Sequence, residues 1–329
     1  MSGSLEDLVG GAGARVSRLP GGVSCETVLV ERESARYVAK RALANLAVAG
    51  EWTAKPERAM TEAAALDLLH RITPDRVPKL ISADPQLNLV VMTAAPAEWV
   101  QWRAALLGDA ADPSMGPVGV AAELGRLLAL WHAATWNSLA VSQRFDDYEA
   151  FEQLRVTPFH RTIARAHPAA AARINRCIGE LLGRRECLVH GDFSPKNVLV
   201  GADGLFVLDF EVAHFGAAVF DVAFLHSHLL IKALHMPHRR SEFATAAEQF
   251  TKAYLTALRK NAPSPAAQVI SGLDSHIACL VLARVDGVSP APYLSVATRD
   301  RARAIALQAL MSAPEEPMGM WRRVLGAVT

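Results

Sequence analysis

Apolar positions along this chain fall into two patterns, and the two are unevenly distributed. Early on, short apolar runs are bounded by turn residues, which is the pattern of β-strands. Residues 15–19 and 26–30 flank Pro20-Gly21-Gly22-Val23-Ser24-Cys25 and predict strand, glycine turn, strand. Residues 37–40 end a third strand on Lys40, and 78–81 and 87–92 predict two more around the Asp84-Pro85 turn. Between them Pro56 opens a helix to about His70, with Met60, Ala64, Leu66 and Leu69 at roughly helical spacing and proline in the first turn. From Trp99 onward the pattern turns helical. Val120, Leu124, Leu127, Leu128 and Trp131 form one apolar stripe, and 169–182, 241–258, 266–282 and 299–311 predict further helices.

One stretch interrupts the helical part. Residues 188–189, 198–200 and 205–208 are short apolar runs of buried-strand type, and Gly201-Ala202-Asp203-Gly204 joins the last two as a hairpin. Asp192 and Asn197 then lie on the loop entering that hairpin and Asp209 lies where it ends. Three oxygen-bearing side chains can converge there, a donor set that suits Mg²⁺ with phosphate and water filling its shell.

Composition narrows the class. The chain has 329 residues, 51% of them hydrophobic, enough for a substantial core in one large or two ordinary domains. A net charge of +1 removes the electrostatic case for nucleic acid. Cys25, Cys177, Cys187 and Cys279 have neither metal nor disulfide spacing, which fits free thiols in a reducing compartment. With no apolar run of signal-peptide or membrane-span length, a soluble cytoplasmic protein is expected, without a membrane partner. Gly10-Gly11-Ala12-Gly13 is not a dinucleotide fingerprint, because no strand precedes it and Val16 stands where the third glycine belongs.

His190-Gly191-Asp192-Phe193-Ser194-Pro195-Lys196-Asn197 resembles the catalytic loop of the aminoglycoside phosphotransferase and choline kinase group. These are small-molecule relatives of protein kinases, whose Asp-to-Asn spacing it shares. Asp209-Phe210-Glu211 resembles the partner motif in the Asp-x-Glu form of methylthioribose kinase. The resemblance implies a two-lobed, protein-kinase-like α+β fold, with a small β-rich nucleotide lobe over residues 1–95 and a larger, mostly helical catalytic and acceptor lobe over 96–329. It also implies an ATP- and Mg²⁺-dependent O-phosphotransferase acting on a small-molecule hydroxyl. Asp192 would accept or orient the hydroxyl proton, and Asn197 and Asp209 would hold Mg²⁺. Lys40 would neutralise phosphate and Glu62 would position Lys40. Backbone groups of Gly22, Val23 and Ser24 would contact phosphate, and those of Met92, Thr93 and Ala95 adenine. His190 and Asp221 would be structural, Asp221 opening a buried helix and bracing the catalytic loop.

Two residues stay open at this point: Lys196 approaches phosphate or is a surface lysine, and Glu211 contacts metal or braces the loop. Ser194 stands where protein kinases often carry lysine, and nine residues between Glu211 and Asp221 leave no long activation segment, so a small acceptor is favoured over a protein. From Arg239 onward eleven Lys and Arg face seven Asp and Glu, a balance that disfavours a polycation. A sugar, nucleoside-like metabolite or antibiotic is expected, with Trp99, Trp102, Phe145, Tyr148 and Phe159 offering ring surface and His228 and Arg284 polar contacts. The alternatives are an aminoglycoside-type resistance kinase, for which Asp146, Asp147, Glu149 and Glu152 would supply carboxylates, and a non-catalytic nucleotide-binding member of the fold.

Overall fold

The structure, a computed structural model, describes residues 4–11, 13–19, 24–33, 35–46, 52–111, 114–262, 268–312 and 318–326. A short helix not expected from the sequence, α1 (Leu5–Val9), begins it; the Ser4 side chain accepts the Asp7 N–H and Leu5 is buried. Then follow β1 (Arg15–Arg18), β2 (Cys25–Arg32), β3 (Ala35–Ala42), α2 (Arg58–Ile72), β4 (Leu80–Asp84) and β5 (Leu89–Thr93). The five strands form one antiparallel sheet in the order β1-β2-β3-β5-β4. Val28, Val30, Ala39 and Leu89 pack against Leu5 on one face, and β-branched residues at alternate positions of β2 suit that half-buried surface. Register sets Lys40 beside Thr27 on β2 and Val90 on β5, in the middle of the sheet.

The remainder is mostly helical. It contains β6 (Val100–Gln101), α3 (Trp102–Leu107), α4 (Gly116–Thr135), α5 (Leu139–Arg144) and α6 (Glu149–Phe151), which runs into a π-helical stretch, Glu152–Arg161. Pro158 lies inside that stretch; its missing N–H is tolerated where the α-helical bonding pattern is already broken. Next come α7 (Thr162–Ala166), α8 (Ala171–Gly183), β7 (Cys187–Val189), β8 (Val198–Gly201), β9 (Gly204–Val207) and β10 (His214–Gly216). Helices α9 (Val219–His235), α10 (Arg240–Asn261), α11 (Leu273–Asp286), α12 (Val296–Met311) and α13 (Gly319–Gly326) complete the chain.

The hairpin forms as β8 and β9, closing with Gly201 opposite Gly204, and β6 adds a third strand. β7 pairs with β10, so the chain leaves and re-enters the same two-stranded ribbon around the catalytic stretch. Beneath it α9 is buried along almost its whole length, from Val219 to Leu234. Helix α4 lies so close to α10 that a Cβ on Gly125 would stand 2.3 Å from the Phe250 carbonyl oxygen. No helix among the described residues is long and apolar enough to cross a membrane.

Candidate active site

The loop after β7 is held from below. Asp221, in the first turn of α9, accepts the His190 N–H at 2.7 Å and the Gly191 N–H at 2.9 Å, one on each carboxylate oxygen. His132 Nε2 lies 3.4 Å from the same carboxylate, and its Nδ1 is 2.8 Å from the Tyr254 hydroxyl. The His190 ring ties the loop to the hairpin: Nδ1 accepts the Asp192 N–H at 3.1 Å and Nε2 faces the Leu208 carbonyl at 3.1 Å. Only the tautomer with hydrogen on Nε2 satisfies both, and burial, which lowers the His190 pKa, keeps the ring neutral. Gly191 is at φ +77°, and a Cβ there would meet the Val212 carbonyl oxygen at 2.6 Å, so no other residue fits.

Above that floor the carboxylates converge. Asp192 Oδ2 accepts from Asn197 Nδ2 at 2.9 Å and pairs with Arg155 at 2.9 Å and Lys196 at 2.8 Å. Burial works against its charge, but Arg155 and then Lys196 outweigh it and hold its pKa below the usual aspartate value. Asp209 has φ +71°, a left-handed conformation that L residues seldom adopt. Its carboxylate pairs with Lys40, whose ammonium also pairs with Glu62 at 2.9 Å. Burial disfavours the Lys40 charge, yet Asp209 and Glu62 raise its pKa well above the ordinary lysine value. Burial pushes Glu62 up to about 7 against the pull of Lys40. The structure thus brings Lys40, Glu62, Asp192, Asn197 and Asp209 into one connected site.

Three residues at this site carried no recognisable sequence signal. Arg155, from the π-helical stretch, reaches the Gly191 carbonyl as well as Asp192. Arg58, at the start of α2, is buried and donates all five N–H groups: to Glu211 at 3.0 Å and to the carbonyls of Ala54, Lys55, Ser24 and Leu43. Cys25 Sγ lies 3.2 Å from the same Glu211 oxygen. Glu211 is therefore engaged by Arg58, and Lys196 is engaged by Asp192. Both positions had been open on the sequence alone.

Other expectations fare differently. Gly22 and Val23 lie outside the described residues. Ser24 is described, and its carbonyl is taken by Arg58 and the Leu43 N–H. On β5 and just beyond it, Met92 and Thr93 pair with β3, and the Ala95 carbonyl accepts from Arg36 at 3.0 Å. The aromatic surface expected for an acceptor is mostly elsewhere. Trp102, Phe145 and Phe159 are buried in the core, because large apolar rings gain most there. Trp99 packs edge-on against Phe206 and over Gly201, and Tyr148 lies under the Arg185 guanidinium.

A small antiparallel sheet carrying a lysine–glutamate pair, beside a helical body that presents the Asp192 loop, is a two-lobed, protein-kinase-like α+β fold. Residues 15–237 match the model of the phosphotransferase enzyme family, and the chain belongs to that family. It is 24% identical over 233 residues to methylthioribose kinase 2 of Oryza sativa subsp. japonica, covering 62% of this chain and 53% of the relative. It is 26% identical over 231 residues to methylthioribose kinase of Pectobacterium atrosepticum, covering 61% and 56%. The chain thus spans a little over half the length of these curated relatives. Among solved structures, choline kinase from Cryptosporidium parvum Iowa II superposes with a TM-score of 0.56 at 10% identity, over 93% of this chain and 91% of that one.

Proposed function

We propose that this chain is an ATP- and Mg²⁺-dependent O-phosphotransferase that moves the γ-phosphoryl group to a hydroxyl of a small molecule. The observation that carries this reading is the shared lysine: Lys40 binds Glu62 and Asp209 at once, and so joins the sheet to the loop system that holds Asp192. Residues 1–95 form the nucleotide side and 96–329 the catalytic and acceptor side. On this reading the N–H groups of Gly22, Val23 and Ser24 would meet phosphate, and the backbone of Met92, Thr93 and Ala95 would meet adenine through groups not already engaged by β3 and Arg36.

Phosphoryl transfer asks for positioning and charge stabilisation more than covalent chemistry. Among the described residues the partners of the Asp192 carboxylate all meet Oδ2, which leaves Oδ1 for the acceptor hydroxyl. The acceptor oxygen bonds to the γ-phosphorus, the bond from that phosphorus to the bridging oxygen breaks, and ADP leaves with the electron pair. The hydroxyl proton passes to Asp192 and then to water. Held ionised by Arg155 and Lys196, Asp192 is a weak base, and its main task is to orient the attacking oxygen. Asn197 donates its amide N–H₂ to the Asp192 carbonyl and carboxylate, which turns its amide oxygen away from them. That oxygen and the Asp209 carboxylate are two hard donors, a set that fits Mg²⁺ with its remaining positions filled by phosphate and water. Asn197 and Asp209 would hold the ion, and Mg²⁺ bound there would supply neutralisation of charge on the transferring phosphates.

A polycationic acceptor is disfavoured by where the candidate acids go. Asp146 pairs with Arg185, Glu149 with Lys55 and Glu152 with Arg161, while Asp147 caps the Glu149 N–H. A non-catalytic role is disfavoured by the presence of Lys40, Asp192, Asn197 and Asp209 together. Replacing Asp192 by Ala is expected to lower turnover by roughly 10²–10⁴-fold with nucleotide binding kept. Wild-type turnover in that variant would refute the assignment.

A further inference from the structure

The surroundings of Asp192 hold more positive charge than its one carboxylate answers. Arg155 and Lys196 already pair with it. Beyond them, Phe224, His228 and Lys232 recur every fourth residue on α9 and share a face. The Arg155 guanidinium lies 5.7 Å from the Phe224 ring centroid, and the His228 ring lies 5.3 Å from the same ring. One turn further on, Lys232 is 0% exposed. Among the described residues its ammonium donates only to the His228 carbonyl, at 3.4 Å within its own helix, and it sits 5.9 Å from the Tyr293 ring centroid. Arg284 on α11, which packs against α9, is half-buried and donates to the carbonyl and hydroxyl of Ser289. Neither Lys232 nor Arg284 pairs with a carboxylate among the described residues. Arg103, exposed on α3, is a third cation within electrostatic reach of both. The Ser194 hydroxyl, two residues past Asp192, is buried without a hydrogen-bond partner among the described residues.

Cations removed from water without a counter-charge are costly. Burial, then Arg284 and Arg103, lower the Lys232 pKa to about 7. A lysine and an arginine kept in this state beside a transfer site have a purpose if the counter-charge arrives with the ligand.

We propose that the acceptor is an anion: a hydroxyl compound carrying a carboxylate or phosphate monoester, bound by Lys232 and Arg284 while its hydroxyl meets Asp192. The hydroxyl half of this assignment rests on the phosphotransferase reading; the anion half rests on the buried cations alone. Arg155 and Lys196 stay with Asp192, so the two cations left over on α9 and α11 hold the anionic group.

Thermal melts of the full chain test it. AMP-PNP and Mg²⁺ are added first, so that the nucleotide's phosphate site is filled. Potassium phosphate or potassium acetate is then compared with potassium chloride at equal ionic strength. Phosphate, acetate or both should raise the melting temperature beyond chloride, and the response identifies the anionic group as phosphate or carboxylate. In Lys232→Met and in Arg284→Met the apparent affinity for the effective anion should fall at least about tenfold. If one variant does not fold, the other and the wild-type comparison with chloride still decide. No excess over chloride in the wild type, or an excess that survives both substitutions, overturns the anion site. Failure of AMP-PNP and Mg²⁺ to shift the melt would instead overturn the phosphotransferase reading and leave the anion result standing.

Discussion

Lys232 is a lysine whose folded pKa is lowered to about 7 from an ordinary value of 10.5, with burial the main cause. Between those two values the unfolded chain binds a proton that the folded chain has released. Stability must therefore rise with pH across that window, and below it both states carry the charge. Comparing urea unfolding of the wild type with Lys232→Met, the difference should move in favour of the wild type by about 1–3 kcal/mol from about pH 6 to about pH 9. A difference that stays flat would mean that Lys232 titrates as it would in water. The signal for this residue was in the sequence, as the single charge in Leu229-Leu230-Ile231-Lys232-Ala233-Leu234. Asp192, Asn197, Asp209 and Lys40 were legible because motif spacing and strand context identify them. Arg58 and Arg155 were not, because each acts on a segment distant in sequence: Arg58 on Glu211, and Arg155 on Gly191 and Asp192.

Elements were legible where a period or a turn marks them. The β8–β9 hairpin carries its glycine turn, and the strands of the first sheet are punctuated by glycine, proline and aspartate. β4 runs from Leu80 to Asp84 rather than starting at Pro78, since proline has no N–H to give a ladder. The π-helical stretch was not legible, because its bonding follows from packing and not from any residue period. Close contact between elements was equally hidden. Gly125 reads as a weak spot in an apolar helix, whereas it is where α4 meets α10. Gly125→Ala is expected to cost about 1–3 kcal/mol, because the added methyl must push α10 away. Thermal melts measure this, and an unchanged melting temperature would contradict the close approach.

Across the whole molecule, the sheet and the helical body meet at Arg58. The guanidinium sits at the start of α2, collects the carbonyls of Ser24, just before β2, and Leu43, just past β3, and pairs with Glu211 two residues past Asp209. Removing it strands a buried carboxylate, so Arg58→Met should lose about 3–5 kcal/mol. A cycle with Glu211→Gln should return a coupling of about 0.5–3 kcal/mol, and strict additivity would mean that the two sides are not joined here. The two-lobed plan itself was legible, since strand-type runs give way to helical stripes near Trp99. Their junction was not, because no local pattern encodes a contact between residues more than a hundred positions apart.

Four of the five N–H groups of Arg58 end on main-chain carbonyls. Such an anchor recognises the course of the chain and not the identity of the side chains around it. Residues near Ser24, Leu43, Ala54 and Lys55 are thereby free to drift over generations without loosening the join, provided the backbone keeps its path.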